Sequence, residues 1–538
     1  MPTPPPRRPN VRPRRWWLAI VLAALAVVAA SCGNTNSSSG ASGGASSGTP
    51  AESLTVAIGF SEEVDPDVYF NLESTSITAA MYEGLLRIKP GEAEFEGVLA
   101  ESWSVSDDGL VFTFKLRPGI TFADGSPIDS AAVLAAFERK KDVAGPPSYI
   151  LDGIAGYETP DPATFVVELE APINNFLNRM ASPWGSLITN PAVIAANASG
   201  GDFAKGWLGT HSAGSGPYVM KEFVPDDRVV LEANTNYWGT KPVFSTVVFK
   251  VIPDTVSQQL QVEQGDVDVM ASVGPDAGAQ IEAQGKVDLT ALQGYNQLFY
   301  QVNVTKPPFD DPAAAMALAQ SVPYAQISST IFGKYGVPAT QMTPPGVMPA
   351  GTAVWKPAAD PEAFKQATES MSKDEPITMA QPTPDAANIF ARTNEFVAEI
   401  LRGAGYTVTM VPLPGADYFG LIGDPTKAPA LTLTNQPGDG TAPANWFDLF
   451  YLSAGALNVG GVGNDTIDGL LAAAGARPAS QPADTATYSQ AAAAMAATGG
   501  ILPIADPKQL YVSGKGITGL KMQVVSPPSF WVSEIKKG

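Results

Sequence analysis

The chain has 538 residues, of which 45% are hydrophobic and 16% charged, with a formal net charge of −20, one cysteine and one histidine. A single cysteine excludes internal disulfides, and a single histidine excludes multi-histidine metal sites and leaves little material for Ser-His-Asp or Cys-His catalysis. The acidic balance argues against nucleic acid and anionic membrane surfaces as partners, and no cofactor, metal or enzymatic activity is expected.

The first 31 residues have the order of a secretory signal peptide. Five arginines and no acid precede 15 apolar residues at 16–30, and small residues follow up to Cys32. A transmembrane anchor is the alternative, but crossing about 30 Å of hydrocarbon takes about 20 apolar residues. We therefore expect residues 1–31 to be removed on export, by the general secretory or the twin-arginine route.

Cys32 is the expected attachment point of a lipid. The small residues before it resemble a bacterial lipobox, except that Ala29 stands where leucine is usual. A diacyl anchor would hold the protein on the extracytoplasmic face of the cell membrane. The alternative is an unmodified thiol that is lost with the signal.

Residues 32–52 are rich in Gly, Ser, Ala and Thr, which predicts a flexible tether. Without the five signal arginines the chain carries 28 basic and 53 acidic residues, a net charge of −25. The remaining length is enough for two or three domains.

Hydrophobic periodicity then switches repeatedly between 2 and 3.6 residues, which predicts interleaved strands and helices and hence a mixed α/β class. Alternation predicts strands at 110–116 and 165–169, and between them Asp129 or Ser130 begins a helix that ends near Lys141. Further helices are predicted at 392–402 and 488–497, and Pro and Gly predict loops at 342–351 and 436–443.

Two patterns that could signal catalysis or nucleotide binding are interpreted as turns or loops. His211 lies in the glycine-rich loop 209–216, where a solvated or hydrogen-bonding role is expected. The match to G-x-G-x-x-G at 514–519 lacks the helix and ribose-binding acid of a nucleotide site. Adjacent acids such as Glu62 and Glu63 are typical of solvated surface.

Nine short segments carry the strongest signal. They are MYEGLL at 81–86, LAESW at 99–103, LRPG at 116–119, FADGSP at 122–127, GSGPY at 214–218, NYWG at 236–239, QGDVD at 264–268, NVTKPPFDD at 303–311 and NDTIDGLL at 464–471. In this order and spacing they resemble the family of extracytoplasmic peptide- and nickel-type binding proteins that serve ATP-driven ABC importers. Two departures are the alanines at 313–315, where a charged helix start is usual, and Pro323-Tyr324, where an Asp-Arg pair is common.

The resemblance implies an α/β, two-lobed periplasmic-binding-protein-like fold with mixed sheets, a ligand cleft between the lobes and a third side domain. The implied domains, after the signal peptide 1–31 and the tether 32–52, are domain I at 53–82, 201–302 and 505–538, the side domain II at 83–200, and the far-lobe domain III at 303–504.

Asp439 is the first candidate for a ligand contact. The family often carries a Trp and then Ala-Asp-Tyr-Pro-Asp-Pro near this position, and in peptide binders the first Asp pairs with the ligand's amino group; here Asp439 is kept and the Trp and second Asp are lost. A cap for the Gly-rich turn is an equally weighted alternative. Trp446 is expected either as an aromatic wall of the cleft or as a core residue. The other candidates fall at places corresponding to family binding segments: Asn71, Glu73, Ser74, Thr75, Tyr295 and Asn296.

The resemblance implies a monomeric, membrane-anchored receptor that captures a small ligand, with a peptide preferred, and delivers it to the permease subunits of an ABC importer. Two other classes remain open: a regulatory lipoprotein of the cell envelope whose ligand site has decayed, and a carboxylate-based hydrolase, for which no suitably placed pair of acids is evident. The sequence alone leaves open whether the solute is a peptide, a metal chelate, a sugar or a lipid headgroup.

Overall fold

Strands with alternating apolar residues pair into one sheet of 12 strands, and this sheet extends through two lobes. The computed structural model describes residues 52–60, 64–69, 71–383, 385, 387–414, 417–418, 420–421 and 424–538, without the side chains of Leu72 and Glu73. The predicted signal peptide, most of the tether and Cys32 lie outside these residues. Strands and helices are interleaved, which confirms the mixed α/β class. Within the described ranges, no helix combines the length and the apolar character needed to cross a bilayer.

The near lobe is built on strands that surround the first strand of the described chain. Ser53–Ile58 pairs in parallel with Thr246–Val251 and with Val269–Met270, and antiparallel strands extend the sheet. The other near-lobe strands are Tyr218–Val224, Arg228–Ala233 and Asp288–Gln293. Its helices are Leu72–Met81, Pro191–Asn197, Lys205–Leu208, Thr255–Gln264 and Pro275–Gln284.

A side sheet of four antiparallel strands packs on the near lobe and shares its hydrophobic core. The predicted strands are confirmed as Val111–Leu116 and Thr164–Leu169, and the predicted helix as Ser130–Val143. The Asp129 side chain begins that helix by accepting a hydrogen bond from the Ala132 backbone N–H at 2.9 Å. The remaining elements here are the strands Leu86–Ile88, Phe95–Gly97, Ala100–Val105 and Ile154–Asp161, the 3-10 helix Pro146–Leu151 and the helix Phe176–Ala181.

The far lobe has its own hydrophobic core, in which Leu298, Phe299 and Trp446 are fully buried. Its strands are Asn296–Val302, Gly336–Pro338, Ile377–Thr383, Val408–Pro414 and Leu431–Pro437. Its helices are Pro312–Ser321, Tyr324–Ile331, Ala363–Ala367, Ile389–Gly403, Ala444–Phe450, Asp465–Gly475 and Thr485–Ala496, with a 3-10 helix at Gly333–Tyr335. The helices predicted at 392–402 and 488–497 are thereby confirmed, each starting three residues earlier than expected.

One long strand, Ile501–Ser513, belongs to both lobes, and we call it the crossing strand. Its first half pairs with Asn296–Val302 in the far lobe, and its second half pairs with Asp288–Gln293 in the near lobe. The chain therefore passes between the lobes at 293–296 and again at 505–508. The predicted domain limits stay a prediction, although the far-lobe core begins at Leu298 rather than after residue 302. The remaining elements are the strands Ile517–Thr518 and Lys536–Lys537 and the 3-10 helix Val532–Glu534.

A buried carboxyl group lies on the crossing strand at this passage. Asp506 is 4% exposed and accepts a hydrogen bond at 2.8 Å from the Gln297 side-chain amide. Burial raises the pKa of Asp506 to about 7, and the hydrogen bond from Gln297 offsets only part of this effect.

A buried group of four charges joins the side sheet's helix to the loop after the first strand. Arg139 contacts the Asp65 carboxylate at 2.6 Å and also Asp67, and Lys140 contacts Asp67 at 2.8 Å. All four side chains are 4% exposed or less. Two positive and two negative charges thus compensate each other away from water. Removing one of them leaves a buried charge without compensation, which is strongly destabilising.

Candidate functional site

The edge of the far-lobe sheet that faces the near lobe is formed by the carboxyl ends of parallel strands. Ile377–Thr383 pairs in parallel with both Val408–Pro414 and Leu431–Pro437, so all three strands end at the same edge. Ligands of open α/β sheets bind outside this kind of edge. Asp439 follows the last of these strands by two residues.

The Asp439 carboxylate meets the near lobe directly. It accepts a hydrogen bond from the Tyr149 hydroxyl, which belongs to the 3-10 helix Pro146–Leu151 of the side sheet. Burial raises the pKa of Asp439 to about 6, and the hydrogen bond from Tyr149 and the charge of Arg179 lower it by less. The carboxylate is bonded across the lobe boundary, so a role as cap of its own turn does not describe it in this conformation.

A second acid, Asp448, and the Arg179 guanidinium also lie at this boundary, and the near-lobe acid Asp152 interacts with Arg179 as well. Asp448, on the far-lobe helix Ala444–Phe450, has a pKa raised to about 6 by burial and lowered in part by Arg179. Arg179 comes from the near lobe, where it donates a hydrogen bond to the Asp152 carbonyl at 3.0 Å. Burial lowers the pKa of Arg179, whereas the charges of Asp448 and Asp439 raise it. When Asp439 and Asp448 are both ionised, two negative charges face the single positive charge of Arg179. One further cation would therefore be electrostatically favourable at this site.

Asn178 holds the two lobes together beside these charges. Its side-chain oxygen accepts hydrogen bonds from the Thr441 N–H at 2.8 Å, from the Thr441 hydroxyl at 3.0 Å and from the Ala442 N–H at 3.1 Å. Asn178 is 7% exposed. We call these three bonds the Asn178 clasp. They fix the turn that carries Asp439 against the near lobe.

The predicted pair Tyr295 and Asn296 lies at the first passage between the lobes. The Asn296 amide donates to the Asn435 side-chain oxygen at 3.0 Å, and Asn435 precedes Asp439 by four residues. The buried Asn296 side-chain oxygen has no hydrogen-bond partner among the described residues. Because an unmade hydrogen bond on a buried acceptor costs about 1–3 kcal/mol, this oxygen is a candidate acceptor for a ligand N–H group. The Tyr295 ring packs on the backbone of Gly346, where an added Cβ would lie 2.4 Å from the ring.

The predicted near-lobe residues at 71–75 serve the start of a helix. The Asn71 side chain accepts from the Ser74 N–H at 2.8 Å, and the Thr75 hydroxyl donates to the Asn71 carbonyl at 3.1 Å. Ser74 and Thr75 are each 1% exposed, and the side chain of Glu73 lies outside the described residues. The capping pattern accounts for Asn71 and the helix bond for Thr75, but the buried Ser74 hydroxyl has no hydrogen-bond partner among the described residues.

Trp446 lies in the far-lobe core. Its ring is fully buried and packs against Phe299 at 5.3 Å and Phe450 at 4.7 Å between ring centres. This placement matches the core alternative and leaves no face of the ring for a cleft wall.

Sequence reasoning missed Tyr149, Asn178, Arg179 and Asp448. The available signal was the polar pair Asn178-Arg179 inside the otherwise apolar helix Phe176–Ala181. Within the described ranges, no group of three or more His, Cys, Asp or Glu residues is arranged to hold a metal ion.

Two further cavities do not include Asp439, Asp448 or Arg179 in their walls. A cavity of about 50 Å³ inside the near lobe is lined in part by Glu83, Arg87 and Trp531. At 10–15 Å³ per water, it holds a few waters at most. An open depression of about 540 Å³ lies on the far lobe around 345–350.

Comparison with known proteins gives a consistent assignment. Residues 94–458 match the sequence profile described as "Bacterial extracellular solute-binding proteins, family 5 Middle". The chain is 29% identical over 297 residues to the probable D,D-dipeptide-binding periplasmic protein DdpA of Escherichia coli K12, covering 54% of this chain and 57% of the relative. It is also 29% identical over 307 residues to the glutathione-binding protein GsiB of Escherichia coli O6:K15:H31, covering 56% of this chain and 58% of the relative. The matched part thus spans less than two thirds of the length of these relatives.

Solved structures share the fold. DppA from Helicobacter pylori, in complex with the peptide STSA, aligns with a TM-score of 0.78 at 20% identity over 90% of this chain and 98% of that one. NikA from Brucella suis, in complex with Fe(III)-EDTA, aligns with a TM-score of 0.78 at 19% identity over 90% of this chain and all of that one. At these identities the likeness establishes the two-lobed fold and not the ligand.

Proposed function

The chain belongs to family 5 of the bacterial extracellular solute-binding proteins, and on that premise we propose that it is a receptor that captures a small solute between its lobes and delivers it to an ABC importer. The proposed solute is a peptide or a related molecule with a free amino group. The observation that carries this choice is the charge balance around Asp439.

The charge balance favours a cationic ligand group. Among the described residues, Arg179 is the cation that acts on Asp439 and Asp448, and burial raises the pKa of both acids to about 6. An ammonium group entering here would compensate the second carboxylate. It would take the place of the Tyr149 hydroxyl or share the Asp439 carboxylate with it. Asn296 is a second proposed ligand contact, together with Tyr295 beside it, because its buried side-chain oxygen has no partner in the part of the chain that the structure describes.

The relatives support a peptide-like ligand. Their names describe binding of D,D-dipeptides and of glutathione, both of which are peptides. They do not favour the alternative of a regulatory lipoprotein with a decayed site. The near-lobe residues Asn71, Glu73, Ser74 and Thr75 stay weaker candidates, because hydrogen bonds of their own helix engage Asn71 and Thr75 and only the Ser74 hydroxyl is left without a partner among the described residues.

We further propose that the mature chain begins at Cys32, is lipid-anchored there on the extracytoplasmic face of the membrane, and acts as a monomer on the permease subunits of its importer. The test is labelling of cells with a fatty-acid probe. A Cys32→Ala protein that still takes up the label would refute the anchor.

The ligand site is tested by calorimetry with trialanine and N-acetyl-trialanine as probes. Trialanine should bind and the acetylated peptide should not, because acetylation removes the ammonium charge. Asp439→Asn should weaken trialanine binding by about 2–5 kcal/mol, the range for truncating one side of a buried charge pair. Asp465→Asn, which changes an exposed carboxylate of the same lobe, is the matched control and should leave the affinity unchanged.

The pH dependence supplies an independent check. A carboxyl group with a raised pKa is protonated below about pH 6, and it must lose that proton before it can pair with an ammonium ion. Trialanine affinity should therefore rise between pH 5 and pH 7.5, and Asp439→Asn should remove part of this rise while Asp448 keeps the rest. Equal affinity for free and acetylated peptide at pH 7.5 would contradict the assignment of Asp439. Native mass spectrometry of protein purified from its own host would identify a ligand that copurifies.

A further inference from the structure

A cavity of about 130 Å³ opens at the same edge of the far-lobe sheet as Asp439. Its walls come from the ends of the three parallel strands and from the start of the helix Ile389–Gly403. The lining residues are Phe390, Leu413, Tyr418, Leu433 and Pro382, together with the polar residues Thr383, Thr434, Asn435 and Gln436.

The cavity presents both polar and apolar surface, and the apolar share is the larger. Leu433 is fully buried and Leu413 is 6% exposed. The Tyr418 hydroxyl is turned away to other partners, since it accepts from the Gln301 amide at 3.0 Å and is hydrogen-bonded to Thr434. The aromatic ring of Tyr418 is therefore what remains to face the cavity.

None of the described residues that line the cavity carries a charge. Two acids lie next to lining residues in the sequence, but neither lines the cavity: Asp385 accepts a hydrogen bond from the Ala391 backbone N–H at 2.8 Å, and Asp417 is exposed. A ligand carboxylate or ammonium placed here would lose its hydration without gaining a partner, which is strongly unfavourable.

The size of the cavity and its position select one kind of occupant. An apolar cavity of about 150 Å³ in another protein is known to bind benzene, so 130 Å³ suits a leucine-sized side chain. Gln436 precedes Asp439 by three residues, so their Cα atoms are at most about 11 Å apart. An extended peptide whose amino group lies at Asp439 reaches this distance within its first three residues.

We propose that this cavity is the specificity pocket of the receptor and takes an uncharged, apolar side chain of about leucine size from one of the first three residues of the ligand. This inference rests on the proposed function, because it uses Asp439 as the anchor of the amino end. It names the substrate class more narrowly: peptides that are cationic at the amino end and apolar nearby.

The test is a calorimetric series on the full chain with trialanine, the three peptides in which one alanine is replaced by leucine, and the three in which one is replaced by glutamate. One leucine peptide should bind about 10- to 50-fold more tightly than trialanine, since leucine buries three more carbons than alanine. The glutamate peptide of the same position should bind no more tightly than trialanine.

Two variants locate the effect. Thr383→Trp fills the mouth of the cavity and should abolish the gain from leucine while trialanine binding persists. Thr409→Trp is the matched control, because Thr409 is exposed near the opposite end of the neighbouring parallel strand and should leave the series unchanged. If Thr383→Trp does not fold, the wild-type series decides alone.

The outcomes separate the pocket from the function. Trialanine binding without a gain from any leucine peptide, or with an equal gain from glutamate, overturns the pocket and leaves the receptor standing. If no peptide of the series binds to the wild-type protein, the proposed peptide receptor fails and the pocket inference falls with it.

Discussion

The Asn178 clasp makes closure of the two lobes partly independent of ligand, and Asn178→Ala tests this. The substitution removes one acceptor that serves three donors on the far lobe at 2.8–3.1 Å. A neutral hydrogen bond contributes about 0.5–1.5 kcal/mol net, and the freed donors regain water when the lobes separate. We therefore expect the closed state to lose about 1–3 kcal/mol, a change of about 5- to 150-fold in the ratio of closed to open molecules.

Small-angle X-ray scattering of the ligand-free protein measures this shift directly. Asn178→Ala should increase the radius of gyration, because more molecules are open, while the midpoint of thermal unfolding changes little. Asn197→Ala is the control, since the Asn197 amide bonds to the Val193 carbonyl of its own helix at 2.9 Å and crosses no boundary.

Affinity should change in the same direction. For a ligand that binds only the closed state, the apparent dissociation constant is the intrinsic dissociation constant divided by the closed fraction. A smaller closed fraction therefore weakens binding without the loss of any ligand contact. Scattering curves of Asn178→Ala and wild type that superimpose at pH 7, together with equal trialanine affinity, would refute this reasoning.

Three other substitutions test features of the fold. A methyl group added by Gly440→Ala would stand 2.8 Å from the Asn445 side-chain amide of the same lobe and 3.0 Å from the Asn178 Cβ across the boundary, so it should open the lobes as Asn178→Ala does, and an unchanged radius of gyration would contradict this. Arg139→Ala leaves the two buried carboxylates Asp65 and Asp67 with Lys140 as the one positive charge of their group, and it should cost about 3–5 kcal/mol in chemical denaturation. Arg228→Ala, at an exposed ion pair, should cost about 1 kcal/mol or less, and equal losses would count against the buried network. The raised pKa of Asp506, about 7, means that this group contributes stability below about pH 4 and that the contribution is lost as the pH rises to about 7. The unfolding free energy of Asp506→Asn minus that of the wild type should therefore increase from pH 5 to pH 8 by on the order of 2–4 kcal/mol. A difference that does not change with pH would show that Asp506 does not titrate in this range.

Local chemistry predicted the regular elements well. The helix Ser130–Val143 could be predicted because Asp129 caps its start and Val133 and Phe137 lie on one face. The crossing strand was harder, because Pro503 and Pro507 cannot donate hydrogen bonds and normally argue against a central strand. The pairing with the Asn296–Val302 strand shifts register near Pro503, and tertiary pairing on both sides overrides the local preference.

The site depends on contacts that no local pattern encodes. Asn178 meets Thr441 across 263 residues of chain, and Tyr149 meets Asp439 across 290. Asp439 could be named only because of a family resemblance at that position. Trp446 had two interpretations because an aromatic residue after a loop fits a wall or a core, and only the packing around it distinguishes them.

The crossing strand also orders the assembly of the molecule in time. The sheets of both lobes lack a partner until Ile501–Ser513 has been synthesised, so neither lobe can complete its core while the preceding 500 residues emerge. Pairing at such long sequence separation forms slowly. Of the two export routes expected from the sequence, the general secretory route carries unfolded chains, and on that route the delay is an advantage because the final structure cannot form until the crossing strand is available.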